Sequence, residues 1–103
     1  MPDPMKIRAT LVGDSTEVKT IISHEMETGQ RKDAQGKVVP AWFIQSITAT
    51  YGGKTVLSAE WGPAIAKNPF LAFKFKGGVK GERIQLAWVD SRGEKRTDET
   101  VIG

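Results

Sequence analysis

The chain has 103 residues, with 15 Lys plus Arg against 12 Asp plus Glu and a net charge of +3. That length fits one domain over residues 1–103, and so mild a basic excess makes no case for nucleic acid. There is no Cys and a single His, His24, which excludes disulfides, thiol catalysis, iron–sulfur clusters, Cys-based zinc and cupredoxin-like copper sites, and leaves a Ser-His-Asp triad only if His24 serves it.

In chain order the pattern predicts strands. From Met5 the residues alternate, with Met5, Ile7, Ala9 and Leu11 on one side and Lys6, Arg8 and Thr10 on the other, the period of a half-buried strand. Gly13-Asp14-Ser15 is turn chemistry, and Glu17 to Ser23 predicts a second strand with Val18, Thr20 and Ile22 on one face. Glu25 to Lys37 is crowded with charge and broken by Gly29 and Gly36, so it reads as a long loop or a flexible hairpin, and loops of that length are often functional. Val38 to Tyr51 predicts an uncharged strand, with Phe43, Ile47, Ala49 and Tyr51 on one face and Trp42, Ile44, Ser46, Thr48 and Thr50 on the other. Gly52-Gly53 predicts a two-residue turn of the primed type, and Lys54 to Trp61 returns from it.

Gly62-Pro63 and Asn68-Pro69 bracket a connector, Ala64 to Lys67, long enough for one helical turn. Phe70 to Lys76 reads as a strand with Leu71, Phe73 and Phe75 inward; Arg83 to Asp90 follows with Ile84, Leu86 and Trp88 inward; Ser91-Arg92-Gly93 turns the chain into a last strand, Lys95 to Ile102. About seven strands and no convincing helix predict an all-β, immunoglobulin-like two-sheet antiparallel β-sandwich, with Phe43, Trp61, Phe73, Phe75 and Trp88 filling the space between sheets. An OB-like barrel is the second choice of fold. The longest apolar run, Ala41-Trp42-Phe43-Ile44, is far short of the roughly 20 residues of a membrane span. Met1 to Lys6 shows no apolar stretch of a signal peptide, which by itself reads as cytoplasm.

Two blocks carry a resemblance. The first runs from Ile22-Ser23-His24-Glu25-Met26-Glu27-Thr28-Gly29-Gln30-Arg31-Lys32-Asp33 through Gly36-Lys37 and Pro40-Ala41 to Phe43-Ile44. The second holds Trp61-Gly62-Pro63-Ala64, Lys67-Asn68-Pro69-Phe70, Phe73-Lys74-Phe75-Lys76-Gly77-Gly78 and Trp88-Val89-Asp90. Together, from about Met5 to Ile102, they resemble the SoxZ family, the small subunits of the SoxYZ carrier complex of bacterial thiosulfate oxidation. The resemblance implies an immunoglobulin-like sandwich that pairs with SoxY, whose cysteine on a mobile arm carries the sulfur while Sox enzymes act on it. It also implies a non-catalytic subunit without a cofactor, and a periplasmic address reached through the partner's export signal.

The residues themselves agree on one point: a chain without Cys holds no persulfide, so in such a pathway it serves as scaffold or docking subunit. The predicted outward pair Trp42 and Ile44, on an uncharged strand, reads as a patch that seeks a partner. His24, Met26, Arg31, Lys32, Trp61, Pro63, Asn68 and Pro69 complete the candidate partner interface. No catalytic or metal-binding set is expected: Glu25 and Glu27 sit in a polar loop, and Asp90, Glu94, Asp98 and Glu99 lack EF-hand spacing. Arg31, Lys32 and Lys37, and again Lys74, Lys76, Lys80 and Arg83, read either as solvated faces with edge protection or as steering toward acidic partners. Phe73 and Phe75 point away from Lys74 and Lys76, against a nucleic-acid surface. A free-standing immunoglobulin-like binding module acting through the Glu25–Lys37 loop, and a small hydrolase built on His24, are the competing functions.

Overall fold

The computed structural model describes residues 3–103. Seven strands form: β1 (Lys6–Val12), β2 (Ser15–Ile21), β3 (Ile44–Tyr51), β4 (Lys54–Glu60), β5 (Phe70–Lys76), β6 (Arg83–Asp90) and β7 (Lys95–Val101). They make a three-stranded sheet in the order β1-β2-β5 and a four-stranded sheet in the order β4-β3-β6-β7, all antiparallel. Pairing of β2 with β5 and of β3 with β6 across the sequence gives the Greek-key connections of an immunoglobulin-like sandwich. Two separate sheets replace the closed barrel of the second-choice fold.

Alternation does what it predicts in β1, β5 and β6. Ala9 is buried between exposed Arg8 and Thr10, and Ile84, Leu86 and Trp88 are sealed while Arg83, Gln85 and Val89 face out. The β2 strand starts two residues earlier than expected, so Thr16 joins Val18, Thr20 and Ile22 on its buried face. Gly13 and the pair Gly52-Gly53 adopt positive φ at the tips of two-residue hairpins, the pair at 59° and 78° as a type I′ turn requires. The connector from Ala64 to Lys67 makes turns and bends but no helix, four residues being too few to repay nucleation.

The core is more aliphatic than expected. Val18, Ile22, Ile44, Ile47, Ile84, Leu86 and Ile102 are sealed along with Trp88, while of the other predicted core aromatics only Phe75 is buried. Phe43, Trp61 and Phe73 are half-buried against its margin. The chain is drawn out, with extents of 53 × 21 × 20 Å and a radius of gyration of 15.4 Å, against about 13 Å for a compact chain of this length.

One expectation fails at β3. The strand begins at Ile44, not Val38, because residues before it pair elsewhere: Val39 N–H donates to Arg31 O, and Glu27 and Trp42 exchange backbone bonds at 2.6 and 3.0 Å, while Pro40 has no N–H to offer a sheet. The register of β3 on β6 then slips between Ile44 and Ser46. A bulge of this kind inserts one unpaired residue and reverses the parity of everything before it. Ile44 therefore faces the core beside Ile47 with none of its surface exposed. The predicted outward pair Trp42 and Ile44 does not exist.

The sandwich closes along one side through β1. Met5 N–H donates to Asp98 at 3.0 Å, Gly103 N–H donates to Ala9 O, and Leu11 N–H donates to Gly103 O. On β7 the side turned toward the core is polar: Arg96 grips Asp98 through Nε and Nη2. That contact, with the Met5 N–H, holds the Asp98 carboxyl below its usual range against the opposing effect of burial.

Two side chains test how tightly this is built. A Cβ on Gly78, whose φ is +101°, falls 2.0 Å from Thr16 Oγ1, whereas one on Gly77, at φ +99°, meets nothing within 4 Å. Thr16 is sealed and its hydroxyl donates to Gly77 O at 2.8 Å, so it has nowhere to move. Gly78→Ala should cost about 2–4 kcal/mol in urea unfolding, and Gly77→Ala only about 1 kcal/mol from its backbone angle; equal losses would place the cost in φ alone. Thr20 is buried with its hydroxyl unpartnered, so Thr20→Val should raise the unfolding free energy by about 1 kcal/mol, and a loss would show a bond to solvent at that site.

Candidate functional site

The site residues converge at the end of the sandwich where the long loop between β2 and β3 meets the connector between β4 and β5 and the turn after β6. The long loop is the hairpin of the two forms expected. Asp33 caps its tip by accepting from Gln35 and Lys37 N–H, Lys32 and Val38 make one bridge, and Glu27 and Trp42 another at the base. Its stem is zipped to the connector: Ile22 N–H donates to Pro69 O, His24 N–H to Asn68 Oδ1 at 3.0 Å, and Asn68 N–H to His24 O at 2.9 Å. Asn68 takes φ of 51°, a left-handed angle that Asn tolerates better than most.

Behind this zip lies a buried polar knot. His24 Nε2 sits 3.0 Å from Asp90 Oδ2, and the side chains are 2% and 0% exposed. Trp42 Nε1–H donates to the same Oδ2 at 2.7 Å. Arg92 and Glu94 N–H both donate to Asp90 Oδ1 at 2.9 Å. Both oxygens of the carboxylate therefore receive two donors. Burial pushes the Asp90 carboxyl up, but the bonds from His24, Trp42, Arg92 and Glu94 outweigh it and hold the group below its usual range.

The tautomer of His24 follows. Met26 N–H donates to Nδ1 at 3.0 Å, so Nδ1 is the acceptor and the proton rests on Nε2, toward Asp90. Met26 reaches that position only through a left-handed φ of 51°, and its sulfur accepts from Ile44 N–H at 3.4 Å, tying the knot to the start of β3. The ring of His24 is flanked by Trp42 at 5.0 Å and, edge-on, by Trp88 at 5.3 Å. Arg92 covers the indole of Trp42 at 4.2 Å, a cation–π contact.

An Asp-His pair invites a catalytic reading, which the geometry answers. A histidine base keeps one ring nitrogen on its carboxylate and the other open toward a nucleophile. Here the second nitrogen is occupied by a backbone N–H. The knot is a fastener for three segments and not a proton-transfer device. A cleft of about 440 Å³ opens beside it, with Ser23, Glu25, Lys67 and Asn68 among its lining; Lys67 pairs with Glu25 at 3.3 Å across exposed ground. Among the described residues no group of His, Asp and Glu is placed to hold a metal ion.

Of the predicted interface residues, the structure brings His24, Met26, Trp42, Ile44, Asn68 and Pro69 into or against this knot. His24, Met26, Ile44 and Pro69 are buried there, and Trp42 is half-buried. Arg31 lies along the outside of the loop, held to Glu27 by a fork of Nε and Nη2. That contact lowers the Glu27 carboxyl. Lys32 and Pro63 are exposed, and Trp61 is half-buried with its N–H on Gln45 O. Asp90, the centre of the knot, was not among the predicted residues. The signal was present: the inward run Ile84, Leu86, Trp88 continues by two onto Asp90, a carboxylate at a core position.

The model of one family, Sulphur oxidation protein SoxZ, matches residues 5–101. No curated protein matches the chain. Among solved structures, a superoxide reductase in its oxidised state is similar with a TM-score of 0.62 and 13% identity, over 99% of this chain and 89% of that one. At that identity the likeness is one of fold.

Replacing Asp90 by Asn puts an amide N–H₂ among four donors. The variant should lose about 2–4 kcal/mol of unfolding free energy near neutral pH. Because the folded carboxyl titrates below its unfolded value of about 3.9, its contribution is full above that pH and fades as pH falls through the folded value. The gap between native and D90N stability should therefore be constant from about pH 7 to about pH 5 and narrow below about pH 4. A gap that stays unchanged into strong acid would mean Asp90 is not ionised in the fold.

Proposed function

The chain belongs to the SoxZ family of sulphur oxidation proteins, and from that we propose that it is the non-catalytic member of a periplasmic sulfur-carrier pair. Its companion is the cysteine-bearing SoxY subunit, and its work is to hold that subunit so that the sulfur-loaded arm reaches the Sox enzymes. The observation that carries this reading is the family match over residues 5–101 in a sequence with no cysteine. A sulfane or thiosulfonate adduct needs a thiolate; these residues offer none, so the covalent chemistry falls to a partner. The closed hydrogen bonding of His24 supports the same division of labour.

With Ile44 inside the core, the partner-seeking surface moves along β3. The outward residues of the two central strands of the larger sheet are Ser46, Thr48 and Thr50 on β3 and Arg83, Gln85, Ala87 and Val89 on β6. One charge, at one end, is all they carry. A face with one charge, at its end, matches the depleted charge of a stable interface core. Arg31, Lys32, Pro63 and Asn68, exposed on the loops at one end, would form its rim.

Co-expressed with the cysteine-bearing subunit, the chain should elute as a heterodimer with a Kd of about 1 µM or tighter. Thr48→Arg, at the centre of the face, should weaken the pair at least about tenfold without moving the melting temperature of the free chain. Failure to co-elute would remove the pairing; an unaltered Kd in T48R would remove this face from it. Mass spectrometry after thiosulfate oxidation should find the sulfur adduct on the companion alone.

A further inference from the structure

The outer face of the smaller sheet carries more positive charge than the whole chain. The registers of β1 on β2 and of β2 on β5 align four outward rows: Lys6, Ile21, Phe70; Arg8, Lys19, Ala72; Thr10, Glu17, Lys74; and Val12, Ser15, Lys76. Five cations face one carboxylate, a balance of +4 where the chain totals +3, so everything else comes to −1. The single carboxylate is engaged, Lys74 lying 3.8 Å from Glu17. Among the described residues no ion pair reaches Lys6, Arg8, Lys19 or Lys76.

This arrangement opposes stability. Arg8 and Lys19 are direct cross-strand partners on the same face, and like charges so placed are destabilising. Beside them the face exposes apolar groups that the fold does not need outside: Phe70 is 61% exposed and Ile21 47%. Two shallow clefts, of about 330 and about 250 Å³, meet at Lys19, one bounded by Ile21 and Phe70 and the other floored by Ala72. An exposed aromatic near an unpaired arginine is the composition of a recognition patch.

We propose that the outer face of the β1-β2-β5 sheet docks an acidic surface of another protein, with Phe70 and Ile21 entering an apolar socket while Arg8 and Lys19 meet carboxylates. This rests on the sulfur-carrier reading only for who visits. The charge of the face sets the kind of contact. It suits a brief, electrostatically steered encounter with an enzyme that works on the carrier, not the permanent companion. A nucleic-acid strand would ask for several stacked aromatics among the cations, and a membrane for a broader apolar belt; this face has one aromatic at one end.

The test measures association of the chain, paired with its cysteine-bearing companion, with each purified acidic protein of the same sulfur-oxidation system. A short DNA duplex and phosphatidylglycerol vesicles serve as alternative polyanions. At least one acidic protein should bind with an on-rate that falls about tenfold between about 0.01 and about 0.15 M salt. R8E/K19E should lower the on-rate at low salt about tenfold, and Phe70→Ser should raise the off-rate several-fold with the on-rate kept. K54E/K95E, which changes net charge equally on the other sheet, should leave both within about twofold. The proposal is overturned if no acidic protein binds, if both charge variants act alike, or if only the duplex or the vesicles respond to R8E/K19E. It is overturned too if R8E/K19E dissociates the companion, since the face is then that subunit's seat. Retention of the companion by R8E/K19E leaves the carrier reading standing whatever the kinetics show, and if no pair forms the same rates are read on the lone chain.

Discussion

A buried carboxylate is costly unless its lone pairs are met, and the Asp90 side chain is where this molecule resolves that cost. Its four donors come from three separate stretches: His24 and Trp42 from either end of the long loop, and the backbone of Arg92 and Glu94 from the turn after β6. An apolar contact would tolerate sliding; this one does not, because each donor has one geometry. The loop between β2 and β3 would otherwise pay the full entropy of ordering some twenty residues. Instead it is fixed at its neck, and the stretch beyond Glu27 and Trp42 rests on bonds within the loop. The left-handed Met26 and Asn68 sit on both sides of the same neck, where strain is held because the surrounding bonds over-determine the backbone.

Strand count, order and inward faces were legible wherever the period of two ran unbroken, as in Met5–Leu11, Phe70–Lys76 and Arg83–Asp90. Parity failed at the bulge before Ser46, and β4 slips again where Val56 is skipped between Thr55 and Leu57, because a single unpaired residue leaves no trace in the pattern of apolar and polar letters. Trp42 and Ile44 looked like neighbours on one side of a strand; one lies in the polar knot and the other in the core. The site was half-visible. His24, Asn68 and Pro69 were marked by their rarity and turn chemistry, but their union through Asp90 depends on residues 66 positions apart meeting in space. Nothing local in Trp88-Val89-Asp90 announces that. The β7 strand, whose two sides are both polar in sequence, was placed by its turn and spacing and not by hydrophobic period.

The two broad faces of the sandwich are chemically unlike. The larger sheet turns small hydroxyls and Ala87 outward between its edges, and the smaller turns out lysine, arginine and Phe70. A thin core serves both: with extents near 20 Å in two directions, there is room for one layer of side chains from each sheet, and the aliphatic set of Val18, Ile22, Ile47 and Leu86 fills it. The fold spends its apolar residues there and leaves its surfaces to differ.

The stitching of β1 to Asp98 and Gly103 has a kinetic consequence. Met5 and Asp98 are 93 positions apart, so the first of these seven strands gains its second edge only after the other six have been made. Topologies ruled by such distant pairings refold in milliseconds to seconds, not microseconds. Throughout that wait the apolar side of β1, with Ile7, Ala9 and Leu11, is covered from one direction only, and a chaperone that shields it would raise the yield of folded chain.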